Sequence, residues 1–391
     1  GGWLSSLQAM LMKREDVELG IAFFLDGEEE KVIEKGVTYY PLRFPKHSWK
    51  EKAQAFICSA NTLIVNERKR IPLYEEIIRK PLEDFKPDVI MVFGSEMPFG
   101  LVAGITDIPV ILHIQGILNP YLNAYLPPFV SWKEYKSIGN GWKNRLHKRI
   151  ERKMWMVSCA RETEICKRVM NYFGRTDWDY RVMQILHPGA NYLFASEVLR
   201  SVFYQPMERA LPDKLTIVTT ISSPLYKGYD LVLKTAKMLS EKGVFFEWKC
   251  YGNINPSIVE KQLAIKHEKV NVSLCGVASA EQLCDAICHA TVYVHTSYID
   301  NSPNSLCEAQ ILGCTPIATY VGGVPSLIKN GETGYLVPAN DPYQLAFLLE
   351  DLFFNPEKNL AIGKAAKEVA VERHNPDQIV DKLLNDLQSL L

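Results

Sequence analysis

Short apolar runs alternate with longer amphipathic segments along most of the chain. The apolar runs are rich in β-branched and aromatic residues, as buried strands are, whereas the segments between them place apolar residues three and four positions apart, as helices do. A helix is predicted at 162–173, and strands are predicted at 18–25, 36–44, 86–94, 108–114, 155–160, 182–186, 214–221, 245–253, 270–276 and 291–296. This alternation predicts parallel sheets with right-handed crossovers, and therefore an α/β protein.

Length and composition narrow the class of protein. At 391 residues the chain is longer than a single hydrophobic core usually supports, so two domains are expected. Lys and Arg total 44 against 45 Asp and Glu, and this near-neutral balance argues against nucleic acid as a partner. Nine cysteines without a CxxC pair indicate reduced thiols in the cytoplasm rather than a disulfide framework. No apolar run approaches the ~18 residues that span a bilayer, and no signal peptide is visible.

The densest signal lies in the stretch 291–338. Its first six residues, TVYVHT, are β-branched and almost uncharged, as expected of a strand buried in a parallel sheet. After a polar loop, Ser302 reads as the N-cap and Pro303 as the first residue of a helix that ends before Gly313, because glycine favours the left-handed position after a helix. A helix of about three turns is thus predicted to begin just beyond the carboxyl end of a strand.

The start of this predicted helix has the chemistry of an anion site. Unpaired N–H groups and the helix dipole favour an anion there, and open α/β sheets bind ligands at the carboxyl edge of their strands. Asn304, Ser305 and Leu306 would supply the amides. Glu308 has a carboxylate that can accept two hydrogen bonds from a vicinal diol such as a ribose, and Asp300 stands in the loop before the helix. The alternatives are a solvated helix carboxylate for Glu308 and a turn-forming residue for Asp300.

The two carboxylates also fit a longer signature. Seven residues separate Asp300 from Glu308, and EAQILGCTPIATYVGG and NGETGYLVP follow. The block resembles the donor-binding signature of the retaining GT-B glycosyltransferases of family four, the glycosyl transferases group 1 type, in which two glutamates with this spacing precede an EA-x-x-x-G-x-P-V segment and a GG pair. Asp300 is the departure, since it is one methylene shorter than the usual glutamate. The resemblance is strongest over 291–338 and weak before residue 80.

This resemblance implies a fold and a division of the chain. The expected fold is α/β of the GT-B type, with two Rossmann-like domains whose parallel sheets face each other across a cleft. Residues 1–190 would form the acceptor domain and residues 191–374 the nucleotide-sugar donor domain, while the last helix, 375–391, would cross back onto the first domain. The boundary rests on residues 187–191, which resemble the family's hinge sequence.

A lysine at a strand-to-helix turn is the second donor element. Lys227 and Gly228 suit a diphosphate, because glycine permits close approach and the ammonium neutralises oxygens; the alternative is a surface lysine ahead of a helix. In the family an arginine precedes this lysine by a few residues, and here Ser222 stands in that place. The resemblance also lays the nucleotide base against the strand end 274–277, so Val277 is a candidate donor-binding residue.

Two residues of the first half are candidates for contact with the sugar. His113 ends a predicted strand at the ligand-binding edge; a single histidine on an apolar strand is more often a core residue, but the resemblance gives it a catalytic role with Lys227 and Asp300. The pair Gly1-Gly2 opens a helical pattern without the strand that normally precedes it, so we expect the numbering to begin inside a longer natural chain. Gly2 is a candidate contact to phosphate or sugar, or else a terminal remnant.

The segment 118–155 is unusual in both aromatic content and charge. It is irregular up to residue 141 and then shows apolar residues four apart, with eight Lys or Arg against two Glu over the whole segment. An amphipathic helix at 142–155 could lie on an anionic membrane surface, or pack on the protein with a solvated basic side. In the same half, Asp177 and Asp179 form a D-x-D pattern that holds a metal in another glycosyltransferase fold, but a turn role is favoured here.

The sequence therefore predicts a retaining glycosyltransferase. It would move a sugar from a UDP- or GDP-linked donor to a saccharide or lipid-linked saccharide, in cell-surface polysaccharide synthesis. No metal and no other cofactor is expected, because protein cations and amides take the place of a metal. The predicted location is the cytoplasm, or the inner face of the membrane as a peripheral protein. Two alternatives stay open: a non-catalytic nucleotide-sugar-binding GT-B protein, and a nucleotide-sugar epimerase of the same architecture.

Overall fold

The computed structural model describes residues 2–27, 30–137, 142–205, 209–223 and 225–391. Three predicted features include residues outside these ranges. Gly1 of the glycine pair, residues 138–141 of the segment 118–155, and Pro224 beside the predicted diphosphate lysine lie outside the described residues.

Strands and helices alternate as predicted over most of the described chain. The strands are β1 (Leu19–Phe24), β2 (Val32–Glu34), β3 (Val37–Leu42), β4 (Ile90–Phe93), β5 (Val110–His113), β6 (Asn171–Gly174), β7 (Asn191–Phe194), β8 (Leu215–Thr220), β9 (Phe246–Tyr251), β10 (Val272–Gly276), β11 (Val292–His295), β12 (Pro316–Thr319) and β13 (Tyr335–Val337). The α-helices are α1 (Trp3–Leu11), α2 (Trp49–Ile57), α3 (Ala60–Phe85), α4 (Leu118–Ala124), α5 (Trp132–Ser137), α6 (Trp142–Cys166), α7 (Asp177–Leu186), α8 (Tyr229–Glu241), α9 (Ser257–Leu263), α10 (Ala280–Cys288), α11 (Asn304–Ile311), α12 (Pro342–Phe354), α13 (Pro356–Arg373) and α14 (Pro376–Gln388). Short 3₁₀ helices occupy Pro98–Gly104, Ser201–Tyr204, His267–Lys269 and Val324–Ser326.

The described strands form three sheets. The second half of the chain builds a parallel six-stranded sheet in the order β10-β9-β8-β11-β12-β13. The first half builds a parallel four-stranded sheet, β4-β5-β6-β7, and a smaller sheet, β1-β3-β2, in which β2 is antiparallel. The carboxyl ends of the parallel strands β5 and β11 lie near the region between the two halves of the chain. The loops that follow these strands lie there as well.

Two predicted strands are helical instead. The run 155–160 lies inside the 25-residue helix α6, which also contains the first part of the helix predicted at 162–173, while the end of that predicted helix is strand β6. The run 182–186 continues α7, a helix that starts at a capping box between Thr176 and Asp179. Apolar runs of five or six residues fit either element, and for 182–186 the capping box upstream favours the helix.

Strand β7 sets the extent of the first domain. It pairs in parallel with β6 over Asn171↔Asn191 to Gly174↔Phe194, so the first sheet continues to residue 194, past the predicted boundary at 190. Of residues 187–191, expected to be the hinge, 187–190 lie between α7 and β7, and Asn191 is the first residue of β7. The domain boundary itself stays a prediction.

The last helix returns to the first domain, as predicted. Ile379, Val380, Leu383 and Leu387 of α14 share one apolar cluster with Trp3 and other side chains of α1 and the first sheet. Arg14 Nη1 also lies 2.6 Å from Asp381 Oδ1.

An aromatic segment of the first half packs on the second domain. Within residues 121–135, which we call the aromatic strap, Val130 and Tyr135 are buried in the core cluster that covers one side of the six-stranded sheet, and Tyr125, Phe129 and Trp132 pack against it. The ring of Phe129 lies 4.6 Å below Lys234 Nζ of α8. The aromatic strap therefore bridges the two domains. None of the described helices is long and apolar enough to cross a membrane.

Candidate functional site

The predicted strand and helix of the stretch 291–338 are both present, with one change at the helix start. Strand β11 is fully buried, and α11 begins at Asn304 with Pro303 as its N-cap, one position later than predicted, so Ser302 is not the cap. Gly313 follows the helix with φ 74°, the left-handed position expected of it. The amide of Leu306 donates to Pro303 O at 3.0 Å, which leaves the half-buried Asn304 and Ser305 at the open tip of the helix.

The predicted glycine pair lets two loops touch. A Cβ on Gly322 would lie 1.9 Å from Asp300 O, and one on Gly323 would lie 2.4 Å from Asn301 O. Gly323 N donates to Asp300 O at 2.9 Å. Only glycine permits this approach, so the pair fixes the loop that carries Asp300.

Lys227 and Asp300 form an ion pair at the carboxyl edge of the six-stranded sheet. Lys227 Nζ donates to Asp300 Oδ2. The turn that carries the lysine depends on Gly228, which has φ 72° and whose Cβ would lie 1.9 Å from Thr296 O at the end of β11. Burial alone would lower the pKa of Lys227, but the attraction of Asp300 outweighs it and raises the pKa above its usual value. The ammonium therefore stays charged although its surroundings are largely closed.

Asp300 collects contacts from both domains. Tyr121 OH, at the first-domain end of the aromatic strap, donates to Asp300 Oδ1 at 3.2 Å, and Ser297 Oγ donates to Oδ2 at 3.4 Å. His295 Nε2 lies 3.0 Å from Oδ2, outside hydrogen-bond angles. Burial raises the pKa of Asp300, yet Lys227 and His295 together bring it well below its usual range. Asp300 is thus an ionised carboxylate between the domains.

Arg200 forms an ion pair with Glu308, a contact that no pattern in the sequence predicted. Its Nε donates to Glu308 Oε1 and its Nη2 to Oε2, both at 2.7 Å. Glu308 is 2% exposed, whereas the Arg200 side chain is 27% exposed. The hydrogen bonds from Arg200 to Glu308 raise the pKa of the guanidinium. Both oxygens expected to face a ribose therefore already accept hydrogen bonds in this structure.

His113 has the surroundings of a core residue. Its side chain is 1% exposed, and its ring centroid lies 5.0 Å from that of Trp3 and 5.7 Å from that of Phe93. Its Nδ1 lies 3.0 Å from Gln115 Nε2. Burial, followed by the charge of Arg175, lowers its pKa to about 3, so the imidazole is neutral. The structure brings His113 to the predicted strand end without contact to Lys227 or Asp300, and its catalytic role stays a prediction.

Three further candidates lie at ends of strands or helices. Gly2 is the N-cap of α1 with extended φ of −151°, and a Cβ on it would meet nothing within 4 Å. Ser222 is exposed just beyond β8, and Val277, 79% exposed, follows β10. No contact joins any of these three to Lys227 in the described part of the chain. Their roles in donor binding stay predictions.

Arg175, absent from the sequence predictions, ties the two domains together. Its Nη1 lies 2.5 Å from Glu197 Oε2 and donates to Ser302 O at 3.3 Å, while its Nη2 donates to Gln115 O at 2.9 Å. Burial raises the pKa of Glu197 to about 7, against the lowering effect of Arg175. An arginine after a short strand carries no local signature, so only the tertiary structure identifies this contact.

The D-x-D pattern caps a helix rather than forming a loop. Asp179 is fully buried and accepts hydrogen bonds from the amides of Arg175 and Thr176 and from Asn301 Nδ2. Its lone pairs are therefore committed to protein donors. Elsewhere in the described chain, one group of side chains, Glu260, His267 and Glu268, has ligand atoms close enough for a metal, but Lys266 Nζ already lies 3.0 Å from Glu260.

Comparison with known sequences identifies the second domain. Residues 207–369 match the profile of the family described as Glycosyl transferases group 1. The D-inositol 3-phosphate glycosyltransferase of Streptomyces coelicolor is 38% identical over 86 residues, 22% of this chain and 19% of the relative. The putative colanic acid biosynthesis glycosyltransferase WcaL of Escherichia coli is 25% identical over 185 residues, 45% of each chain. The chain thus spans about a fifth of the first relative and under half of the second.

Comparison with solved structures identifies the fold. Sucrose-phosphate synthase from Thermosynechococcus elongatus superposes with a TM-score of 0.70 at 13% identity, over 99% of this chain and 92% of the other. Anabaena HepE, solved in complex with UDP and glucose, superposes with a TM-score of 0.62 at 14% identity, over 100% of this chain and 96% of the other. Residues 207–369 therefore match the group 1 glycosyltransferase family, and the chain has the GT-B fold predicted for it.

Proposed function

We propose that this protein transfers a sugar, with retention of configuration, from a UDP- or GDP-linked donor to a saccharide or lipid-linked saccharide acceptor in cell-surface polysaccharide synthesis. The observation that carries the proposal is the charged Lys227 at the carboxyl edge of the donor-domain sheet, paired with Asp300, which stands four residues before the start of α11. The group 1 family match and the solved complexes of HepE with UDP and with UDP-glucose support a nucleotide-sugar donor.

The charges suit the expected bond cleavage. As the bond between sugar and phosphate breaks, negative charge grows on the diphosphate and positive charge on the anomeric carbon. The ammonium of Lys227 and the amides of Asn304 and Ser305 would stabilise the diphosphate. Asp300, ionised and fixed by the glycine pair, would face the positive charge. Because these groups supply the charge, no metal or other cofactor is included in the proposal.

Ser222 supplies no cation to the leaving group, and Arg200 pairs with Glu308 instead. In the family an arginine shortly before the lysine assists the leaving group, and here Ser222 is exposed and uncharged. Arg200 comes from the segment after β7 and retains 27% exposure while it holds Glu308. We therefore assign Glu308 and Arg200 together to the ribose side of the donor site, with Arg200 orienting the carboxylate.

Donor binding and transfer are tested separately. The melting temperature is measured with UDP, GDP, ADP and their sugars, because a ligand of the native state raises it. A shift with one nucleotide family is expected, and the absence of any shift would remove the donor site. Transfer is then measured by mass spectrometry of products with that donor and a panel of saccharides. An intact donor after long incubation with every saccharide would argue against an enzyme.

The non-catalytic alternative has one observation in its favour. Lys227 and Glu308 both have protein partners in this structure, Asp300 and Arg200, so part of the charge expected to bind a donor is already neutralised. A protein that only binds nucleotide sugars would show the thermal shift without turnover. An epimerase would return a changed sugar still attached to nucleotide, which the same mass and chromatographic measurements distinguish.

A membrane surface is the further partner that we propose. At the start of α6, Trp142 is 71% exposed, and Lys143, Arg145 and Arg149 are exposed beside it, while Leu146 is half-buried. Exposed basic residues around an aromatic side chain suit the headgroup region of an anionic bilayer. A protein in the cytoplasm, peripheral on the inner face of the membrane, would meet a lipid-linked acceptor there.

A further inference from the structure

Most carboxylates around the cleft are committed to protein partners. Asp300 pairs with Lys227, Glu308 with Arg200 and Glu197 with Arg175. Glu162 accepts hydrogen bonds from Ser95 Oγ, from the amides of Leu118 and Asn119, and from Asn119 Nδ2. Glu162, which lies on α6 of the first domain, is therefore engaged by protein donors.

Glu96 is different from these carboxylates. It lies in the loop after β4, at the carboxyl edge of the first-domain sheet, and is half-buried. Its Oε1 accepts from Gly116 N at a long 3.3 Å, and no ion pair is found for it in the described ranges. Burial raises its pKa above the usual value. The carboxylate is also hydrogen-bonded by its own main-chain amide, so its protein partners are two backbone amides. A carboxylate with two oxygens and about four lone-pair sites retains acceptor capacity beyond these two bonds, which a ligand can satisfy.

Two glycines around Glu96 leave the space that its carboxylate occupies. A Cβ on Gly94 would lie 2.0 Å from Glu96 Oε2, and a Cβ on Gly116 would lie 3.4 Å from Oε1. Gly94 also has φ 78°, which favours glycine independently. Arg161 Nη2 donates to the main-chain oxygen of Glu96 at 2.7 Å, so the loop itself is anchored to α6.

The carboxylate of Glu96 is connected to Asp300 through neighbouring residues. A Cβ on Gly116 would lie 3.7 Å from Tyr121 Cζ, and the hydroxyl of that ring donates to Asp300 Oδ1 at 3.2 Å. Glu96, Gly116 and Tyr121 thus form a continuous surface from the first domain to the proposed sugar site. An aromatic ring between two carboxylates is a surface on which the apolar face of a sugar can stack.

We propose that Glu96 is an acceptor-binding residue, which takes a hydrogen bond from a hydroxyl of a saccharide lying along Tyr121. The inference rests on the proposed function, since it names the acceptor side of the same site. The ligand class is a neutral polyhydroxylated acceptor, because a carboxylate with free lone pairs recognises hydroxyl donors. The acceptor hydroxyl would reach the donor sugar from the Asp300 end of this surface.

The test compares Glu96→Gln with Glu83→Gln, the same substitution at an exposed glutamate of α3. Each protein, fluorescently labelled, is applied to a saccharide array with and without UDP, and the dissociation constant for UDP is measured on the same samples. We expect Glu96→Gln to weaken saccharide binding at least tenfold and to leave UDP binding within twofold, with Glu83→Gln like the wild type. Unchanged UDP binding also shows that the variant is folded.

Two results would overturn the assignment. One is saccharide binding by Glu96→Gln within twofold of the wild type; the other is a wild-type protein that binds UDP but no saccharide on the array. Failure of the proposed function gives a different result. In that case the wild-type protein binds no nucleotide, which removes the donor site independently of any effect of Glu96. Tenfold weaker saccharide binding in Glu96→Gln would then still identify a saccharide site at this position.

Discussion

Arg200 and Glu308 are joined by two parallel hydrogen bonds of 2.7 Å each, from a side chain that is 27% exposed to one that is 2% exposed. Removing the arginine would leave a buried carboxylate without its partner. We expect Arg200→Ala to lower the free energy of unfolding by about 3 kcal/mol in urea titrations. Arg181→Ala, which removes an exposed ion pair with Asp177, is the control and should have little effect. Equal effects of the two substitutions would contradict the structural role of Arg200.

Lys227 should matter for turnover as well as for folding, because it is the partner of the buried Asp300. Loss of one cation on a leaving diphosphate corresponds to about 10²- to 10³-fold in kcat, by analogy with the removal of a single oxyanion donor. We expect Lys227→Ala to show such a loss in donor hydrolysis and in transfer. Lys237→Ala, at an exposed position of α8, the helix that follows the Lys227 turn, should retain the wild-type rate. A Lys227→Ala protein with normal turnover would remove the diphosphate assignment.

The Asp300–Lys227 pair should give a defined pH dependence of stability. The folded pKa of Asp300 is lowered, so its contribution is complete above the ordinary value of 3.8 and is lost as the pH falls below it. The folded pKa of Lys227 is raised, so its contribution is complete below 10.5 and is lost as the pH rises above it. Without Asp300, burial would lower the pKa of Lys227 in the variant, so the difference in unfolding free energy between wild type and Asp300→Asn should be largest near neutral pH and should shrink towards both limits and beyond them. Asp107→Asn, at an exposed loop position, should show no such window.

The glycine pair offers a test of the loop that carries Asp300. Gly322 and Gly331 both have positive φ, 50° and 80°, but a Cβ would meet backbone atoms within 4 Å only at Gly322. Alanine at either position carries a conformational cost of about 1–2 kcal/mol, because a residue with a Cβ is strained at positive φ. Gly322→Ala should lower the melting temperature clearly more than Gly331→Ala and should also weaken UDP binding. If the two variants have the same melting temperature, the close approach of Gly322 to Asp300 O does not constrain the loop.

Binding to anionic membranes should depend on the start of α6. Co-sedimentation with vesicles of phosphatidylcholine and phosphatidylglycerol is expected to fall at least fivefold for the double variant Arg145→Glu, Arg149→Glu. The double variant Arg68→Glu, Lys69→Glu makes the same charge change on the exposed side of α3 and serves as the control. Binding that ignores the lipid charge, or equal losses in both variants, would discard the membrane partner.

The local parts of the site could be predicted from the sequence, and the long-range parts could not. Strand β11, the turn at Gly228 and the glycine pair each have a signature within a few residues, and the structure contains all three. Arg200 acts on Glu308 across 108 positions, and nothing near it in the sequence marks that contact. The apolar runs 155–160 and 182–186 resemble strands in sequence and are helical in the structure, because such short runs carry no decisive period.

The aromatic strap has a consequence for the motion of the two halves. Its side chains belong by sequence to the first domain and by packing to the core of the second, and its first residue, Tyr121, also holds Asp300. Separation of the halves would expose Val130 and Tyr135 to water, so the cleft cannot open as a free hinge. Product release should therefore require these rings to repack. Substitutions in the aromatic strap should change the rate of product release more than they change the rate of the chemical step.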